Sequence, residues 1–269
     1  MYNQRMWIPA ALLGWLIGVL INLLADRLPR TRRIERPRCG FCDGPRTPDQ
    51  ASALLALVLG RRACAYCGAK RPLRGLFVEL VSIAAATAIA WQSTSWRAWG
   101  VQTWFLSLYA LMFVIDLEHR LILHVTSVPA IVSFTLLRGL DPSVGWSKTL
   151  WGGFAGLLMM LLFYLAGGLF SRWMSRRRKE PIDEVAFGFG DVMLGCAIGL
   201  DVGWSGVVLA LFTGILAAGL FSLITILYHL LRRRYRPFMA IPYGPFLILG
   251  AVWFQLAGRT LILGLAGGG

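Results

Sequence analysis

Residues 187–195 read FGFGDVMLG. One aspartate, Asp191, stands between glycines and a long apolar run. Moving a carboxylate anion into an apolar phase costs several kcal/mol, so such a group neutralises or finds a partner. The rest of the chain says what kind of phase this is. Of the 269 residues 57% are apolar and 15% charged, and the mean hydropathy is +0.64. A polytopic membrane protein has that composition; a soluble domain of this length does not. The net charge of +14 invites a nucleic-acid reading, but the cations cluster between apolar runs as membrane-flanking loops do. No nucleic-acid partner is expected.

Eight apolar stretches stand out, at roughly 6–24, 76–91, 98–117, 121–138, 150–170, 189–200, 206–231 and 241–257. A full span takes about 20 apolar residues, fewer with polar caps and local thinning, so 76–91 and 189–200 are the short ones. The stretch ASALLALVLG at 51–60 is too short to cross. The sequence therefore predicts an all-α fold of about eight transmembrane helices. It divides into a first helix (1–24), a basic loop (25–75) and a seven-helix membrane domain (76–269). With eight spans, 22 of the 27 Lys and Arg fall on one side, twelve of them in the loop 25–75. The positive-inside rule makes that side cytoplasmic and both termini external. The cations follow the first apolar run and no small-residue cleavage site is evident, so that run is expected to stay as a helix, not leave as a signal peptide.

This topology gives Asp191 a counterpart. The third stretch runs inward and ends FVIDLEHR (113–120), while the sixth starts from the cytoplasm. Asp116 and Asp191 thus emerge at one depth on one side. Two adjacent carboxyls that share a proton provide both a base for water and an acid for the leaving amine of a peptide bond. Gly188 and Gly190 leave no side chain to block an extended substrate, and a helix start at Asp191 offers amide hydrogens to its ionised form. An aspartate after glycine also serves simply as an N-cap, and Asp116 with Glu118, His119 and Arg120 also reads as a solvated helix end. Intramembrane acids carry protons or cations in transporters too. Those proteins, however, place their sites near mid-bilayer and often in repeated halves, and no repeat is visible here.

Four of the five cysteines form CGFC (Cys39, Cys42) and CAYC (Cys64, Cys67). Each CxxC turn presents two thiolates to one side, and two such turns complete a tetrahedral set for Zn2+ with no open position, hence a structural, knuckle-like site. Reduced thiols or a thiol–disulfide pair are the competing readings. The arginines around the cysteines (RTRRIERPR, GRRAC) suit anionic lipid heads. Glu79, a few residues into the second stretch, needs a partner at that depth: an arginine of the cysteine loop, whose position it would fix, or substrate. Cys196 reads as a small packing residue, and GGFAG, AGGL and GILAAG in stretches five to seven allow close helix packing.

Read in order, GVLINLLADRLPR (18–30), the two CxxC pairs, KRPLRGLFVEL (70–80), VIDLEHRLIL (114–123), GFGDVML (188–194) and IPYGPFLILGA (241–251) make the chain resemble the bacterial type IV prepilin peptidases. These are integral-membrane aspartic peptidases of the GxGD class, and the resemblance covers nearly the full length. It implies a multi-pass protein of the inner membrane that cuts the leader from prepilins or pseudopilins at the cytoplasmic face. Many members then methylate the new amino terminus with S-adenosylmethionine. The resemblance makes Asp116 and Asp191 the catalytic pair, and matches Cys39, Cys42, Cys64 and Cys67 to a zinc-type motif linked to methylation or to loop stability. Two departures stand out. Members often carry Leu-Pro-Asp where this chain has Ile122, Leu123 and His124, and a lysine after Gly-Asp-Val where it has Met193.

Overall fold

The computed structural model describes residues 7–178, 188–232 and 242–258. The termini, Phe187, the stretch 179–187 with Lys179, the basic run from Arg233 to Arg236 and Ile241, all used in the sequence reading, lie outside the described residues. The described chain is helical: α1 (Trp7–Thr31), α2 (Pro48–Ala51), α3 (Ala53–Val58), α4 (Arg74–Gln92), α5 (Trp96–His119), α6 (His124–Gly139), α7 (Gly145–Arg178), α8 (Phe189–Leu231) and α9 (Gly244–Trp253), with a π turn at Phe254–Gly258. It falls into two compact units, residues 1–114 and 115–269, whose boundary lies within α5. Among the described residues α1, α4, α5, α7 and α8 are long and apolar enough to cross a membrane.

The first unit is built on α1 against α4, running antiparallel. Gly14 and Gly18 make the approach possible: a Cβ on them would sit 2.6 Å from the Ser82 carbonyl oxygen and 2.7 Å from the Glu79 Cα. One turn further, the buried Asn22 donates through Nδ2 to the Gly75 carbonyl at 2.8 Å. Small residues at four-residue spacing let backbones touch where no water drives the helices together. Ala10, Ile89, Ala90 and Trp99 close the far end of this pair. The stretch at 51–60 forms only the short helix α3, with Ser52 as its N-cap accepting from the Leu55 amide at 3.2 Å.

The second unit turns on α8. Its 43 residues would measure about 65 Å if straight, twice the hydrocarbon thickness of about 30 Å. Gly203 resolves the excess. Its backbone is non-helical at φ 78° and ψ 178°, a left-handed φ that a side chain resists. Before Gly203 the first arm runs antiparallel to α7, with Gly195 against Gly156 and Gly199 against Gly152 in backbone contact. After it the chain returns, so that Val207 lies back beside Gly156. The second arm then pairs antiparallel with α9, Gly206 against Phe254 and Gly214 against Phe246 and Leu247. Counted as two arms, α8 joins α1, α4, α5, α6, α7 and α9 in the eight apolar helical segments expected from the sequence.

Candidate functional site

Asp116 sits in the last turn of α5, buried, and its Oδ2 has no hydrogen-bond partner among the described residues. The helix ends four residues later in a left-handed residue, Arg120 (φ 54°), whose amide donates to the Asp116 carbonyl at 2.8 Å. That stop turns the chain and brings Ile122 back beside the aspartate. From another direction comes the first turn of α9: a Cβ on Gly244 would stand 2.5 Å from Asp116 Oδ2 and 3.1 Å from Ile122 Cδ1. Only glycine fits there without moving the carboxyl.

Asp191 reaches the same place from α8. The helix begins at Phe189 with Gly188 as N-cap, so Asp191 is the third helical residue: it lies in the first turn, at the helix start that the sequence suggested, and is not the cap. Its Oδ2 accepts from the Gly188 amide at 2.9 Å, satisfying one of the free donors of the first turn. Gly190 packs on Ile122, where a Cβ would meet the Ile122 Cβ at 2.7 Å and its carbonyl oxygen at 2.9 Å. Ile122 thus packs against both Gly190, which precedes Asp191, and Gly244, which faces Asp116 Oδ2. Gly188, by contrast, faces open space apart from its own Asp191. Phe189 stacks on His124 at 6.2 Å and meets Tyr164 edge-on at 6.3 Å between ring centroids, giving the site an aromatic rim.

In the first unit the four cysteines converge. The sulfurs of Cys39, Cys42, Cys64 and Cys67 all lie within 4.8 Å of one another, with Cys39–Cys67 at 3.8 Å and Cys42–Cys64 at 3.7 Å. The two turns are built alike. The Cys39 amide donates to the Gly44 carbonyl and that of Cys64 to the Ala69 carbonyl, and the residue after each pair, Asp43 or Gly68, takes a positive φ. The side chain of buried Arg27 on α1 bonds Asp43 at 3.0 Å, and exposed Arg38 does so at 3.1 Å. Together they hold the Asp43 carboxyl below the usual carboxylate range, Arg27 leading. Burial pushes the Cys39 thiol up, but the amides of Cys42 and Phe41 and the neighbouring sulfurs outweigh it and bring Cys39 down to about 6.

Glu79 is fully buried on α4 and caps α3. Its carboxylate accepts from Ser52 Oγ at 2.7 Å, the Ala53 amide at 2.6 Å, the Leu54 amide at 3.0 Å and Asn22 Nδ2 at 3.3 Å. The group it holds in the cysteine loop is therefore a helix N-terminus, where the sequence reading had weighed an arginine.

The Type IV leader peptidase family matches residues 103–223, and the Bacterial Peptidase A24 N-terminal domain matches residues 12–93. The chain belongs to the type IV leader peptidase family. Among its relatives is the prepilin leader peptidase/N-methyltransferase of Aeromonas hydrophila, 27% identical over 240 residues, which are 86% of this chain and 74% of that protein. The protein of the same name from Vibrio cholerae is 26% identical over 206 residues, 72% of this chain and 76% of its own. No solved structure matches this leader peptidase family chain.

One polar cluster in this leader peptidase family member escaped the sequence reading. Asp201, at the end of the first arm of α8, is buried; its Oδ1 accepts from Arg138 Nε at 3.0 Å and Nη2 at 2.7 Å, and its Oδ2 from Gln255. The signal was present: an acid at the end of one apolar stretch and an arginine at the end of another, the same coincidence of depth that paired Asp116 with Asp191.

Proposed function

We propose that this enzyme is an aspartic endopeptidase of the cytoplasmic (inner) membrane that removes the leader from type IV prepilins or pseudopilins at the cytoplasmic face. The observation that supports the reading is that Asp116 and Asp191, 75 positions apart in sequence, stand next to two glycines, Gly244 and Gly190, that pack on the same residue, Ile122. The substrate's apolar segment enters from the bilayer while its leader stays on the basic side. One carboxyl takes a proton from water, and the other protonates the carbonyl oxygen and then the departing amine. The pair titrates as a unit, and each carboxyl stands at a helix start: Asp191 accepts from the Gly188 amide in the first turn of α8, and Asp116 lies beside Gly244 in the first turn of α9. Gly190 and Gly244 bring backbone, not side chain, to the two acids.

After cleavage the enzyme methylates the new amino terminus, with S-adenosylmethionine as methyl donor, as the names of its relatives suggest. Cys39, Cys42, Cys64 and Cys67 hold a structural Zn2+: four sulfurs in two like turns fit its tetrahedral, closed coordination, and the ion would tie the two turns of the loop together. Asp116 and Asp191 lie in end turns of their helices, which favours peptidase over transporter. The test is incubation of the detergent-purified enzyme with a prepilin substrate. Asp116→Asn and Asp191→Asn are expected to insert normally and to leave the substrate intact, whereas wild-type processing by either variant would remove the dyad. Mass analysis of the product's amino terminus reads methylation separately.

A further inference from the structure

Next to the second cysteine turn, Arg46, Arg61, Arg62 and Arg71 converge on one cavity that Gln50 and Cys64 also line. Arg71 is pinned there: its Nη1 donates to the carbonyls of Gln50 and Ala51, at 2.9 Å each. Burial, then the charge of Arg46, brings Arg71 below the ordinary arginine range. Arg46 and Arg62 are half-buried, and their side chains make no hydrogen bond or ion pair among the described residues. Gathering guanidiniums is unfavourable unless they share an anion, and their planar forks match phosphate oxygens in particular. The same cavity is lined by Ala56 of α3, and just beyond it Leu57, Val58 and Leu59 are 41%, 74% and 53% exposed. Apolar side chains beside arginines, on a loop whose two ends run into the spans α1 and α4, are what the boundary between headgroups and acyl chains selects.

We propose that the open mouth of this small cleft binds the phosphate of an anionic phospholipid at the surface, with Arg46 and Arg62 as its free ligands and Leu57, Val58 and Leu59 seated among the neighbouring acyl chains. The site lies in the first unit and does not depend on the peptidase reading. It would fasten the cysteine loop to the membrane surface from a second direction, beside the Glu79 cap.

The test uses the full chain in a neutral detergent, titrated with short-chain phosphatidylglycerol, short-chain phosphatidylcholine and inorganic phosphate, with adducts counted by native mass spectrometry. A phosphatidylglycerol adduct is expected, weakened about thirtyfold in Arg46→Gln/Arg62→Gln. In Arg33→Gln/Arg36→Gln, which removes equal charge from the same loop outside the cavity, it is expected to weaken only a few-fold. Arg62→Gln alone, about fivefold weaker, serves if the double variant fails to fold. An unchanged adduct in the cavity variants, an equal loss in the control, or equally tight phosphatidylcholine would overturn the site. Inorganic phosphate that binds as tightly and displaces the lipid would overturn the phospholipid as its occupant.

Discussion

Gly244 is the residue at which one methyl group is expected to do most harm. Its Cβ would stand 2.5 Å from Asp116 Oδ2, so the carboxyl must swing away from Asp191 or α9 must retreat. Displacements near 1 Å in a reacting pair lower rates by about a hundredfold, and Gly244→Ala is predicted to lose cleavage on that order while insertion and folding persist. Gly188→Ala is the contrast, because the nearest atom to its Cβ would be 3.8 Å away. Equal losses in the two variants, in a cleavage assay on purified protein, would mean that contact with Asp116 is not what matters at Gly244. The sequence could bring these residues only part of the way. A shared depth for Asp116 and Asp191 follows from counting helices and cations. That Gly190 is needed against Ile122, and Gly244 against Asp116, depends on the left-handed turn at Arg120, which nothing in the local composition announces. Glu79 shows the same limit: burial at its depth was legible as a demand for a partner, but three of its donors come from Ser52 to Leu54, more than twenty residues away in a short loop helix.

At the scale of elements, α8 is held in its bend by two devices. The seam of Gly152, Gly156, Gly195 and Gly199 lets α7 and the first arm meet backbone to backbone, and the Arg138–Asp201–Gln255 cluster ties that arm's far end to α6 and to the turn after α9. Removing one partner of a buried ion pair strands the other, a loss of about 3–5 kcal/mol. Asp201→Ala should therefore lower unfolding stability by roughly that amount, whereas replacing Asp201 and Arg138 together with apolar residues should recover most of it. Thermal unfolding of the three proteins in one detergent checks this, and an Asp201→Ala protein as stable as the parent would show that the cluster is ornamental. Asp201 lies ten residues from Asp191, about 15 Å along the helix, so its loss is expected to reach cleavage only through stability. The bend itself was half legible: a break between 200 and 206 was expected, but Gly203 as its pivot required the backbone angle.

At the scale of the whole molecule the two cysteine turns form a module that should be separable from the chemistry of the aspartates. All four sulfurs, together with Arg27, Asp43 and Glu79, belong to the first unit, while Asp116, Ile122, Asp191 and Gly244 belong to the second. If the loop's metal is structural, exchanging Cys64 and Cys67 for serine should remove the zinc, counted by elemental analysis of purified protein, and open the segment between α1 and α4 to protease. Leader cleavage should then fall less than about tenfold, because no sulfur is asked to act on the scissile bond. A loss of cleavage as complete as in Asp116→Asn, in protein that still resists unfolding, would instead draw the cysteine loop into the reaction itself. The positive-inside assignment puts loop and acids on one face by charge alone. An impermeant thiol reagent applied to inverted and to right-side-out vesicles tests it with single cysteines introduced in a variant without native cysteines, at Arg36 in the basic loop, Leu121 after α5 and Ser143 after α6. The first two should label only in inverted vesicles and the third only in right-side-out ones, since α6 separates Leu121 from Ser143 by one crossing. Labelling of Leu121 and Ser143 from the same side would take α6 out of the membrane and break the count of spans on which the common depth of the two aspartates was founded.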